Sequence, residues 1–191
     1  MGNPALGKLE HFDPQLAQGR LLIHTGMAKG KSTAAYGAAL RAFGHRAQHG
    51  KKVGIYQFIK DDHFPYGERQ VLRDIGIEVL GLGDGCSMRG QNPEGSRRMA
   101  QEGWQISQAA LASGKYFLLV LDELTLPLHF GWLDETAVIH GLKQRAADCN
   151  VIITGRYCPQ ALLDLADTAS DSQLIKHAYE QGVIAQRGIE N

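Results

Sequence analysis

The sequence predicts an α/β fold, a mostly parallel sheet with helices on both faces. Three observations carry that prediction. Apolar runs at Leu21–Thr25, Val53–Ile59, Glu78–Leu82, Tyr116–Leu121 and Val151–Thr154 are separated by stretches long enough to hold a crossover helix, the βα alternation of parallel sheets. Phe117-Leu118-Leu119-Val120-Leu121 and Val151-Ile152-Ile153 are continuous rather than alternating, as strands covered on both faces are. The first run breaks at Gly26 into a turn bearing glycine and lysine, which opens directly into a helix-forming stretch.

Taken in order, the strand Leu21–Thr25 delivers the chain to Gly26, and a helix is expected over Lys31–Arg46. His45 to Lys52, polar and basic, reads as a solvated loop before the strand Val53–Ile59. A helix over Gly67–Ile75, the strand Glu78–Leu82 and a long helix over Pro93–Ala112 follow, with Trp104 and Ile106 read as core or interface residues. After Tyr116–Leu121, Asp134 is suited to cap a helix over Glu135–Ala146. After Val151–Thr154, Pro159 is suited to the first turn of a helix over Pro159–Ala166. A last strand is expected near Leu174–Ala178, ahead of a polar tail.

A chain of 191 residues is large enough to bury a core without disulfide or metal staples, and one domain is expected over residues 19–191. Residues 1–18 lack periodicity and read as an N-terminal arm or lid. Twenty basic residues balance twenty acidic ones, so no general field attracts nucleic acid or an anionic membrane. Cys86, Cys149 and Cys158 cannot all pair, and none stands in a Cys-x-x-Cys spacing, which suits a reducing cytoplasm. No run approaches membrane-spanning length.

The turn after the first strand carries chemistry. Backbone N–H groups of Gly26, Met27, Ala28, Lys29, Gly30, Lys31, Ser32 and Thr33 can converge on an anion at the start of a helix, whose unpaired amides and dipole favour negative charge. Lys31 adds a point charge for outer phosphates and Ser32 a hydroxyl for Mg²⁺. Three residues lie between Gly26 and Gly30 where the standard loop has four, so this is a short phosphate-binding loop.

In open α/β sheets, ligands lie beyond the carboxyl ends of the strands. The corresponding segments here are Gln57-Phe58-Ile59-Lys60, Asp122-Glu123-Leu124-Thr125 and Thr154-Gly155-Arg156. Mg²⁺ takes oxygen ligands and keeps several waters, so Asp122 and Glu123 beside Ser32 are the candidate metal residues. Arg156 offers a planar cation to phosphate or ribose oxygens, or a salt bridge. The histidines show no metal-ligand spacing, and His24 inside the first strand reads as a core residue.

The ordered set Thr25-Gly26 with Lys29-Gly30-Lys31-Ser32-Thr33, then Gln57-Phe58-Ile59-Lys60, Gly67-Glu68-Arg69, Gln91-Asn92, Leu121 to Thr125, Val151 to Arg156, Asp164-Leu165-Ala166-Asp167, Lys176-His177-Ala178 and Gly188-Ile189 resembles the ATP:corrinoid adenosyltransferases of bacterial cobalamin biosynthesis. The resemblance implies a RecA-like P-loop fold that moves the 5′-deoxyadenosyl group of ATP onto a cobalt(I) corrinoid and releases triphosphate. It also implies Mg²⁺ or Mn²⁺, a homodimer, a reductase partner such as a flavoprotein, and an N-terminal segment that helps to cover the site. By the same resemblance Gly26–Thr33 hold the leaving triphosphate, with Lys31 supporting the transition state. Ser32 and Glu123 hold the metal with Asp122 nearby, and Arg156 lies in the nucleotide pocket.

The chain departs from the family pattern at two places. Met27 and Ala28 stand where asparagine and glycine are usual, and a β-carbon at 28 is expected to disfavour a positive φ. Cys86 and Met88 stand where the family carries two aromatic side chains facing the corrinoid; they read either as soft sulfur groups that pack on the macrocycle or approach cobalt, or as plain loop residues packed under Leu82. Two other readings stay open on the sequence alone. One is a P-loop NTPase in which Glu123 orients an attacking water, and the other is a paralogue that binds nucleotide or corrinoid without turnover.

Overall fold

The computed structural model describes residues 18–63, 65–85 and 92–189. Nearly all of the expected arm over 1–18, together with Cys86 and Met88, lies outside the described residues. The element order is β1 (Leu21–Thr25), α1 (Lys31–Gly44), α2 (Arg46–His49), β2 (Lys52–Gln57), α3 (Gly67–Asp74), β3 (Glu78–Gly81) and α4 (Pro93–Ala112). It continues with β4 (Tyr116–Asp122), α5 (Thr125–His129), α6 (Glu135–Lys143), β5 (Asn150–Thr154), α7 (Gln160–Leu165) and β6 (Thr168–Asp171), followed by a 3-10 turn over Ala178–Gln181.

The described strands form one six-stranded sheet in the order β3-β2-β4-β5-β1-β6. Every pairing is parallel, so all six carboxyl ends lie on one edge. The continuous runs of β4 and β5 explain the layering. Leu119, Leu121, Val151 and Ile153 pack into one core with Trp104 and Leu111 of α4, Leu128 of α5, Val138 and Leu142 of α6 and Leu162 of α7. Leu118, Val120 and Ile152 face the other core, with Ala35 and Ala39 of α1 and Leu72 of α3. Neither face of the central strands meets water, which is why their sequence does not alternate.

The expected helices and the first five strands form, with ends shifted by a few residues. Asp134 caps α6 by accepting from the Ala137 amide, while Pro159 stands just ahead of α7 as its N-cap. Trp104 is buried as expected, but Ile106 is 46% exposed and belongs to no core. The segment expected as a solvated loop over His45–Lys52 is mostly exposed as expected, but Arg46–His49 within it form the short helix α2, closed by Gly50 in the left-handed region at φ 66°. Its His49 ring, half-buried, stacks on Phe117 at 4.1 Å and bonds the Ala42 carbonyl, anchoring the otherwise exposed turn to the domain.

The last strand is displaced from its expected place. β6 is Thr168–Asp171, paired to β1 from Leu22↔Thr168 to Thr25↔Asp171, and its side chains are all exposed. It is held by backbone pairing rather than by an apolar face, so hydrophobic patterning pointed to Leu174–Ala178 instead, where Ile175 is 95% exposed.

Candidate active site

β1, β4 and β5 deliver their carboxyl ends to one edge, and the residues just beyond them make the candidate site. The turn after β1 is shaped by Gly26 and Gly30, at φ 104° and 102°. A β-carbon at Gly26 would lie 2.2 Å from Asp171 Oδ1 and 2.5 Å from the Ser172 amide, so the loop is packed against the end of β6. The Ser172 amide donates to the Thr25 carbonyl, and the Ala28 amide donates to the Ser172 carbonyl. Ala28 keeps a negative φ, so the strain expected of its β-carbon does not arise: the left-handed positions fall on the two glycines.

α1 starts at Lys31 without a capping side chain and without an acidic residue in its first turn. In contrast, α4 and α6 are capped by Asn92 and Asp134 and carry Glu94 and Glu135 in their first turns. Among the described residues the first amides of α1 are therefore left without a side-chain acceptor, the condition for an anion cradle. Ser32 is half-buried and Met27, Lys29 and Thr33 are exposed along the loop. Lys31 is 6% exposed, with its ammonium donating to the Ala28 carbonyl. Burial lowers its pKa, Glu123, Asp122 and Asp171 pull it back up, and Arg156 lowers it further.

The two carboxylates after β4 have different surroundings. Asp122 is fully buried, accepting from Thr154 Oγ1 at 2.7 Å on one oxygen and from Tyr36 Oη at 2.6 Å on the other. Glu123 has φ 59°, uncommon for a residue with a β-carbon, and its amide donates to Thr154 Oγ1. Burial raises the Glu123 pKa, the Asp122 charge raises it again, and Lys31, Arg156 and Lys60 oppose the shift. Glu123 Oε2 lies 3.3 Å from where a β-carbon on Gly155 would stand. The structure thus brings Lys31, Asp122, Glu123 and Arg156 within one another's electrostatic reach, together with Lys60 from the end of β2.

Ser32 and Glu123 supply hard oxygen donors that fit Mg²⁺ when substrate phosphates and waters complete the shell. Asp122, with both oxygens already bonded to hydroxyls, fits the layer behind them. Among the described residues no group of three or more His, Cys, Asp or Glu could hold a metal ion. His24 is half-buried, and burial lowers its pKa.

Sequence reasoning missed Tyr36, Arg69 and Asp171. Tyr36 on α1 has a partner remote in sequence, Arg69 on α3 was named only within Gly67-Glu68-Arg69 with no role of its own, and Asp171 was lost with the misplaced last strand. The short spacing from Arg69 back to the flagged Gln57 was the one available signal, since Arg69 donates to Gln57 Oε1 from both Nε and Nη2.

The family model for ATP:corrinoid adenosyltransferase BtuR/CobO/CobP matches residues 17–191. A corrinoid adenosyltransferase of Escherichia coli K12 is 40% identical over 186 residues, covering 95% of this chain and 92% of that protein. The corrinoid adenosyltransferase CobA of Salmonella typhimurium LT2 is 42% identical over the same shares, and one from Pseudomonas aeruginosa is 36% identical over 93% of this chain and 89% of its own length. With a model match across the whole α/β domain and relatives at this identity along nearly their full length, the chain belongs to the ATP:corrinoid adenosyltransferase family.

Proposed function

We propose that this chain is a corrinoid adenosyltransferase that moves the 5′-deoxyadenosyl group of ATP onto the cobalt(I) of a corrinoid. The cobalt(I) electron pair forms the bond to carbon 5′, the bond from that carbon to oxygen breaks, cobalt becomes cobalt(III), and the displaced pair leaves on triphosphate. Such a reaction asks for no side-chain nucleophile. It asks for alignment of two partners and for stabilisation of the departing charge.

The observation that carries this reading is the uncapped start of α1, with Lys31 buried behind Gly26–Gly30 and Glu123 and Arg156 acting on its charge. In this assignment the Gly26–Thr33 backbone, apart from the Ala28 amide already given to Ser172, binds the triphosphate tail, Lys31 and Arg156 offset its charge, and Ser32 with Glu123 holds Mg²⁺ or Mn²⁺. The bound ion would screen the triphosphate oxygens. The nucleotide lies with its ribose carbon toward the acceptor cleft, Cys86 and Met88 face the corrinoid, and residues 1–18 cover the site. A homodimer served by a reductase such as a flavoprotein, in the cytoplasm, completes the proposal. No described helix is long and apolar enough to cross a membrane, which is compatible with that setting.

The test is incubation with ATP, Mg²⁺ and chemically reduced cobalamin. A light-sensitive cobalt–carbon bond and inorganic triphosphate are expected in equal amounts. ADP and phosphate as the main products, or bound ATP with no cobalt–carbon bond, would overturn the assignment.

A further inference from the structure

Arg69 and Asp122 are a buried cation and a buried anion, 3% and 0% exposed, carried by α3 and β4. Two neutral side chains join them. Arg69 Nε and Nη2 donate to Gln57 Oε1 at 2.9 and 2.7 Å, Gln57 Nε2 donates to Tyr36 Oη at 2.6 Å, and Tyr36 Oη donates to Asp122 Oδ2 at 2.6 Å. The direction is forced by chemistry. A guanidinium has donors alone, so the Gln57 carbonyl must face it; the amide NH₂ then faces Tyr36, and the phenol proton is left for Asp122.

Each bond in such a chain polarises the next, and the low-dielectric interior strengthens the effect. Burial first, and then the charge of Asp122, push the Tyr36 phenol far above its ordinary range, in keeping with its place as the donor to Asp122. Arg69 Nη1 also donates to the Asp61 carbonyl at 2.6 Å, so one guanidinium ties the segment after β2 to the chain. At the far end, Thr154 Oγ1 bonds both Asp122 and the Glu123 amide, carrying the order of Asp122 to the neighbouring carboxylate.

We propose that Arg69 is a positioning residue for the metal–nucleotide site, acting through Gln57 and Tyr36 to fix Asp122 and with it the end of β4 that carries Glu123. This rests on reading Gly26–Thr33, Ser32 and Glu123 as the site of Mg²⁺-bound ATP. Without the relay Asp122 could turn, and its charge would repel Glu123 from an altered position.

The test is calorimetric ATP binding to the full chain, once with Mg²⁺ and once with chelator, on Tyr36→Phe, Arg69→Met, their double variant and Gln57→Glu. Tyr36→Phe loses one hydrogen bond to a charged group, and because the other single variants cut the same chain, each is expected to weaken Mg²⁺–ATP binding about tenfold. Metal-free ATP binding should change by less than about twofold, and the double variant should be little worse than either single one, because both cut the same chain. Gln57→Glu keeps the acceptor for Arg69 but removes the donor to Tyr36. It is expected to keep its melting temperature and still lose Mg²⁺–ATP affinity, which a purely structural role would not produce.

Additive losses, equal losses with and without Mg²⁺, or unchanged Mg²⁺–ATP affinity in folded Tyr36→Phe and Gln57→Glu would each overturn the relay. If Arg69→Met does not fold, Tyr36→Phe combined with Gln57→Glu supplies the same cycle. Because binding is read without corrinoid, a failed adenosyl transfer would sink the activity while leaving this result standing.

Discussion

Lys31 and Glu123 attract each other across the end of the sheet, each opposing the shift that burial imposes on the other: the lysine is lowered and the glutamate raised. The net shifts show that this attraction does not fully compensate either charge for its removal from water. A triphosphate would add negative charge beside Lys31, and a divalent ion would add positive charge beside Glu123. The resting site is therefore arranged so that ligands relieve it.

Lys31→Ala should accordingly weaken binding of inorganic triphosphate by roughly tenfold to a hundredfold, the range of a charge-assisted bond. The melting temperature of the ligand-free protein should fall modestly, because relief of the ammonium's burial is offset by loss of its bond to the Ala28 carbonyl and of its attraction to Glu123. Calorimetry with triphosphate and a thermal melt check both halves. Unchanged binding would remove Lys31 from the site.

Gly155→Ala tests how tightly the ends of β4 and β5 are packed. Gly155 has φ 138°, and a β-carbon there would stand 2.0 Å from Thr125 Oγ1. Strain and overpacking together should cost about 2–5 kcal/mol in urea unfolding. Adding Thr125→Ala should restore part of the loss by removing the clashing oxygen, though it also removes a bond to the Arg156 carbonyl. A double variant as unstable as the single one would show that removing the clashing oxygen relieves no more than its lost bond costs.

What the sequence disclosed of the site was what lies close together along the chain. Gly26, Gly30, Lys31 and Ser32 are near neighbours, and Asp122-Glu123 follows an unbroken apolar strand, so position and chemistry could be read together. The bond from Tyr36 to Asp122 spans 86 residues, and no local pattern announces it. α5 escaped notice because Leu126-Pro127-Leu128 continues the apolar run of β4 with a proline inside it, and proline near the start of a helix is not a break. β6 escaped because strand pairing uses the backbone, and Thr168–Asp171 has no buried side chain to mark it.

Glu78 should govern part of the acid sensitivity from outside the site. Burial pushes its pKa up, but the Tyr116 and Tyr56 hydroxyls and the Lys52 ammonium outweigh that, leaving it lowered. The hydroxyls donate to Oε1 at 2.6 and 2.8 Å and Lys52 to Oε2 at 3.1 Å. A carboxylate lowered in the folded state contributes stability above its unfolded pKa and loses it as pH falls through the folded value. Glu78→Gln should therefore cost about 1 kcal/mol or less at neutral pH, the group being partly exposed. The gap from the parent should close below about pH 4, where the unfolded carboxyl protonates. A gap that persists undiminished at lower pH would assign the loss to packing.

Tyr157 provides a stability test in which the usual order of alanine and glycine reverses. It follows Arg156 with φ 56°, in the left-handed region that costs a residue with a β-carbon about 1–2 kcal/mol. What it gains is a stack on His129, with ring centroids 4.2 Å apart and planes 21° from parallel. Tyr157→Ala loses the stack and keeps the backbone strain, so it should be destabilised. Tyr157→Gly loses the stack but releases the strain, and should exceed the alanine variant by about 1 kcal/mol. Urea unfolding of the two variants measures the difference. Equal stabilities, or alanine above glycine, would mean that residue 157 relaxes out of the left-handed region once the ring is gone, and that the stack itself holds the chain in that conformation beside Arg156.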